Sequence, residues 1–351
     1  SSREVLDAHR ARVDAVDPTI NAVTFRMDEA AEAAARACDE AVAAGVELGP
    51  LHGVPVSIKD QFEVLGTPST RGLPSRADHR STREGPLLGR LRNAGAIPFV
   101  KTNVPVMLME TETHNPLFGR TNNPYDVDRT PGGSSGGEGA LLAARGTPFG
   151  LGADIGGSLR VPAHYCGIAT IKPTSHRLPW GDNPPEYDEW QEAIVPQCGP
   201  MARTVADVTL GFRVLAEATD GLPVEPMVPP LPVLDPATVD VAGLTVGVCE
   251  DDGGMTPSPS VRRAVREAAT ALPDAGARVV PWDPVPAAEV CELYATLLGG
   301  DGFRHLRRAI GDDPLSPVTQ LLTMAGRVPR PVATADGAAL AGLGQPSAGR
   351  L

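Results

Sequence analysis

Residues 131–174 read PGGSSGGEGALLAARGTPFGLGADIGGSLRVPAHYCGIATIKPT. Two glycine–serine clusters frame this stretch, Gly132-Gly133-Ser134-Ser135-Gly136-Gly137 and Asp154-Ile155-Gly156-Gly157-Ser158, with Ser134 and Ser158 lying 24 positions apart. One such cluster alone reads equally as a flexible linker or a phosphate-binding nest. Here the first leads directly into ALLAARG, a short helix, and then into TPFGLGADIGG, a strand ending in the second cluster. A turn and SLRVPAHYCG follow, then the apolar run IATIKPT. Upstream, GVPVSIKD (53–60) reads as a short buried strand with Lys59 near its end, and 61–83 as a polar loop. LLGRLRNAG reads as a helix feeding the strand AIPFVKT (96–102). The first 45 residues read as helical, alanine-rich and closed by a glycine stop. This alternation predicts a parallel or mixed α/β sheet. Beyond a helical stretch at 204–218 and a proline-rich piece at 222–236, LTVGVCE, PSVRRAVREAATALPDAGA and RVVPWD repeat strand, helix and strand.

The chain has 351 residues, 42% of them hydrophobic, enough for a sizeable core. Its net charge of −12 argues against a nucleic-acid partner, whose phosphates call for a basic face. No apolar run approaches the ~18 residues of a membrane span. The N-terminal SSREVLDAHRARVD shows no signal-peptide pattern. Five cysteines without a CxxC pair predict reduced, mostly buried thiols and a cytoplasmic location. The seven histidines show no metal-ligand spacing, so neither a metal nor a cofactor is expected.

Among 31 basic residues only Lys59, Lys101 and Lys172 are lysines. Arginine keeps its proton in a protein, whereas a buried lysine can lose it. The three are candidates either for chemistry that needs a neutral amine or for packed structural roles. Acyl transfer needs a serine, a base for its proton, and backbone N–H groups aimed at the tetrahedral oxygen. Ile155-Gly156-Gly157-Ser158 fits a nucleophile carrying its own oxyanion loop. No GxSxG elbow is present, and a serine–lysine device is the economical reading.

Residues 131–174, with LHGVPVSIKD, GAIPFVKTNVP, NPLFGRTNNPYD and CGPMARTVAD, resemble the amidase signature family over about residues 10–290. The resemblance implies an α/β fold with a mixed, mostly parallel central sheet flanked by helices on both faces. It implies an amide hydrolase working through an acyl-serine, with Ser158 as nucleophile, Ser134 as bridging cis-serine behind Gly133, and Lys59 as base. It places oxyanion donors on the Ile155, Gly156, Gly157 and Ser158 backbone and gives Asp154 and Arg160 supporting roles, with Ser135 a hydrogen-bonding neighbour. Lys101 and Lys172 become structural. It sets Met107, Leu108 and Met109 beside the acyl pocket, where plain helix core is the competing reading. His176 stands where relatives commonly carry glycine. His52, His114, His164 and His176 are candidates for the cleft, each more often structural, and Cys166 reads as a packed thiol.

The expected organisation is a core at 1–221, a proline-rich connection at 222–239, a smaller α/β layer of the same domain at 240–330 and a tail at 331–351. Relatives continue beyond this end, so a fragment is expected. The expected partner is a small-molecule amide, and the sequence leaves a homodimer open. Two other functions are weighed. The amidase subunit of a tRNA-dependent amidotransferase ranks lower, because WGDNPPEYDEWQEAIVPQ replaces a serine-rich segment. A phosphate- or nucleotide-binding protein lacks support from any GxxxxGK[ST] or GxGxxG motif.

Overall fold

The computed structural model of the chain describes residues 1–181, 194–217, 228–229 and 231–325. The expected tail at 331–351 and part of the proline-rich connection, 222–227, lie outside the described residues.

Helix α1 (Ser2–Ile20) starts behind a capping box formed by Ser1 and Glu4. The first 45 residues are not continuously helical, as their composition suggests. Strand β1 (Val23–Arg26) separates α1 from α2 (Asp28–Ala43). Asn21 turns the chain with φ 49°, and the Asp17 carboxylate accepts from the Ala22 and Val23 N–H groups. The extended segment then pairs antiparallel with a later strand, Val23 opposite Thr102. Tertiary pairing thus overrides the alanine-rich helical signal on either side.

Next come β2 (Pro55–Lys59), α3 (Pro86–Asn93), β3 (Ile97–Thr102) and a small hairpin of β4 (His114–Asn115) and β5 (Gly119–Arg120). They are followed by α4 (Gly136–Ala143), β6 (Phe149–Asp154), α5 (Arg160–Cys166), β7 (Ala169–Thr170), β8 (Gln197–Ala202) and α6 (Val205–Ala216). From sequence, SLRVPAHYCG follows a turn and carries no assigned element. It is helical because Pro162 falls in the first turn of α5, where a missing N–H breaks no intrahelical bond. Strand β8 is masked in the sequence by Gly199 and Pro200, yet it pairs along its whole length with β6.

The main sheet has the order β1-β3-β2-β6-β8-β7. Strands β3, β2 and β6 are mutually parallel, and β7 shares their direction because it is antiparallel to β8, itself antiparallel to β6. The sheet is therefore mixed and mostly parallel. Alternation along β6 shows that helices cover both faces. The Phe149 ring packs over Gly211 of α6, whereas Gly150, one residue on, faces Glu138 of α4. Apolar residues of α1, α2 and α4 close one core cluster with Ile97, Phe99 and Val100 of β3.

Residues Pro232–Gly300 form a second compact unit. As its sequence predicts, β9 (Thr245–Val248), α7 (Pro259–Asp274) and β10 (Arg278–Pro281) make a parallel β–α–β crossover. Helix α8 (Ala287–Leu298) follows. Helices α9 (Arg304–Ile310) and α10 (Pro317–Ala325) belong to the first unit, which comprises Ser1–Leu231 and Asp301–Leu351. Within that unit α10 is tied down by Glu110, which accepts from the hydroxyls of Ser316 and Thr319.

None of the five cysteines is in a disulfide, but only Cys166 and Cys198 are buried, fewer than the sequence suggests. Among the described residues, no helix is long and apolar enough to cross a membrane.

Candidate active site

Every residue of β2 is buried, and strand alternation turns Ser57 and Lys59 to the same face. Lys59 is 1% exposed. Its Nζ donates to Ser134 Oγ at 2.8 Å and to the Ala153 carbonyl at 3.2 Å. Burial drives the amine down to about 7, against the opposing pull of Asp154, Cys198, Glu138 and Asp60. An appreciable fraction of Lys59 is therefore neutral at physiological pH.

Ser134 follows a cis peptide bond from Gly133. Position 133 has no room for a side chain, since a Cβ would lie 2.6 Å from the carbonyl oxygens of both Glu110 and Glu112. Gly133→Ala is expected to destabilise the fold by about 3 kcal/mol, because backbone on two sides must move. Thermal unfolding of the variant measures this, and an unchanged Tm contradicts the packing. Ser135, just ahead of α4, stitches the two glycine–serine clusters together. Its N–H donates to the Ser158 carbonyl at 3.2 Å and its hydroxyl to the Ala153 carbonyl at 3.3 Å.

The second cluster is organised by Asp154 at the end of β6. Its Oδ1 accepts from the Gly157 N–H at 2.8 Å and its Oδ2 from the Leu159 N–H at 3.0 Å. The Arg160 guanidinium donates to both oxygens, at 3.0 Å each. Burial alone raises the Asp154 carboxyl, but Arg160 and these N–H groups outweigh it and hold the group below the ordinary carboxylate value.

Lys59, Ser134 and Ser158 line one narrow crevice, together with Asp154, Ile155, Met107, Leu108 and Met109. The Ser158 side chain makes no hydrogen bond to Ser134 in this structure. Met107 and Leu108 have φ of 50° and 65°, a left-handed turn rather than a stretch of helix core. The turn is anchored by the Met107 N–H, which donates to the Arg71 carbonyl at 2.9 Å.

Lys101 is buried away from this crevice and donates to the carbonyls of Phe62 and Pro68. Lys172 is half-buried and donates to the Pro173 carbonyl at 2.6 Å. None of His52, His114, His164 and His176 lines the crevice; His176 lines a neighbouring cavity. Its φ of 62° explains why glycine suits that position. Cys166 is packed, its thiol pushed up to about 12 by burial. Sequence reasoning missed Gln61, Trp180 and Pro196 on the crevice wall. It also missed Glu138, whose only sequence signal is a lone acid among glycine, alanine and leucine.

A family model described as Amidase matches residues 4–334. Amidase 1 of Gibberella moniliformis is 37% identical over 331 residues, covering 93% of this chain and 63% of its own. Fatty-acid amide hydrolase 1 of Sus scrofa is 40% identical over 278 residues, covering 78% of this chain and 48% of its own. A solved fatty acid amide hydrolase superposes with a TM-score of 0.84 at 29% identity, over 92% of this chain and 57% of that one. The chain thus spans about half to two thirds of the length of these relatives. With a family match over nearly its whole length, the expected sheet and the glycine–serine segments gathered around one crevice, the chain belongs to the amidase (amidase signature) family.

Proposed function

We propose that this chain hydrolyses carboxylic amides through an acyl-Ser158 intermediate. The observation that carries the proposal is the buried Lys59 amine in hydrogen-bond contact with Ser134, on the crevice that Ser158 also lines. Neutral Lys59 accepts the Ser134 proton as Ser134 takes that of Ser158, and Ser158 Oγ attacks the amide carbon. The oxyanion faces the backbone N–H groups of the Ile155–Ser158 loop. The Gly157 N–H is already held by Asp154, so this donor serves the shape of the loop, and Ile155, Gly156 and Ser158 supply the others. The proton returns through Ser134 to the leaving amine. Water then repeats the sequence on the acyl-enzyme.

The Met107–Met109 turn gives the acyl side an apolar wall that adapts to different chains. These steps draw on side chains, backbone, water and a small amide substrate. Five cysteines with no disulfide among them support a reducing compartment, the cytoplasm.

The test is a hydrolysis panel of short aliphatic, aryl and long-chain amides, run beside labelling with a fluorophosphonate. Turnover of at least one class and stoichiometric labelling at Ser158 are expected. Absence of labelling in folded protein refutes the acyl-serine mechanism.

A further inference from the structure

The reaction scheme gives no part to Glu138, a fully buried acid in the first turn of α4. Its Oε1 accepts from Thr102 Oγ1 at 2.8 Å and its Oε2 from Ser57 Oγ at 2.5 Å. Strand β6 is shaped around this carboxyl, since a Cβ on Gly150 would lie 2.1 Å from Oε2. Ser57 stands two residues before Lys59 on the same face of β2, so the carboxyl reaches the sheet on the side where the amine projects. The partners it holds directly are hydroxyls, which solvate an anion without neutralising it. The positive charge acting on it is that of Lys59.

We infer that Glu138 is a positioning residue for the base: its negative charge holds the proton on Lys59 and so sets the pH at which that lysine begins to accept one from Ser134. The inference rests on the proposed serine–lysine mechanism. Lys59 is faced by Glu138 from α4, Asp154 from β6, Cys198 from β8 and Asp60 just beyond β2. Asp154 is already engaged by Arg160. Burial raises the Glu138 carboxyl to about 7, opposed by Ser57, Thr102 and the Lys59 charge. Amine and acid therefore change charge over the same pH range and titrate as a pair. The first proton taken up on acidification is held between them. The second leaves the ammonium beside a neutral acid, without its counter-charge, so it binds less readily.

The test follows the pH dependence of the rate at which a fluorophosphonate labels Ser158, a readout independent of the natural substrate. Glu138→Gln keeps the volume and an oxygen for Ser57 but removes the charge. Its acid limb is expected to move about one pH unit toward acid, because the amine loses an opposite charge. Ser57→Ala weakens the anionic form of Glu138 and is expected to move the limb the same way by less. A purely structural role lowers the plateau of the profile without moving the limb. An unmoved or alkaline-shifted limb in folded Glu138→Gln overturns the inference. If Glu138→Gln does not fold, an unmoved limb in Ser57→Ala does so. A wild-type protein that does not label refutes the serine–lysine mechanism itself, and the inference with it.

Discussion

Ser158→Ala is expected to lower kcat/KM for the proposed amide hydrolysis by about five to six orders of magnitude, the loss seen when a nucleophile working with its base is removed. The chemical reason is that no other hydroxyl is placed to take over. Ser134 is held on the Lys59 amine, and the Ser135 hydroxyl is turned onto the Ala153 carbonyl. Stability is expected to change by no more than about 0.5 kcal/mol. The lost oxygen is not bonded to Ser134, and the contact that ties this residue to Ser135 runs through its carbonyl. Steady-state kinetics and thermal unfolding of the same preparation check both halves. Residual turnover above about 1% assigns the chemistry elsewhere.

Lys59→Met separates function from stability. Activity is expected to fall by about 10²–10⁴-fold, the range for removing a general base. The fold is expected to gain about 2 kcal/mol at pH 7, the roughly 4 kcal/mol cost of the shifted amine less the two hydrogen bonds that Lys59 gives to Ser134 and Ala153. In the folded protein the amine sits near 7, whereas its ordinary value is 10.5. Between those values the unfolded chain holds the extra proton, so wild-type stability rises with pH from about 7 to about 10.5. Below about 7 the cost of burying the amine is present in full. Methionine carries no such cost, so its advantage is greatest at and below neutrality and closes toward pH 10.5. Urea unfolding at pH 7 and pH 10 measures the difference. A variant less stable than wild type at pH 7 contradicts a lysine buried against its charge.

The candidates on the crevice were legible because they are rare or conformationally marked residues. The scarcity of lysine and the two glycine–serine clusters marked candidates, the resemblance to the family singled out Lys59, Ser134 and Ser158 among them, and the structure lines one crevice with all three. Strands β2, β3 and β6 were legible because each is a short apolar run bounded by turn residues. What escaped depends on partners distant in sequence. Strand β1 exists because β3 offers it an edge, and β8 because β6 does, despite Gly199 and Pro200. Helix α5 hid behind Pro162, which blocks a helix interior but suits a first turn. Trp180 reaches the crevice from a segment whose local sequence carries no periodicity. Glu138 was invisible for another reason. An acid in a glycine-rich run reads as solvated, and only the hydroxyls of β2 and β3 show that it is not.

The snug fit between Gly150 and the Glu138 carboxyl also constrains the order in which this lineage can change. A mutation that puts a side chain on the strand first meets the acid and pushes it off the hydroxyls that hold it. The same mutation is tolerated once the helix has traded its acid for something shorter. The two sites form a one-way gate for evolutionary drift, and the acid must go first.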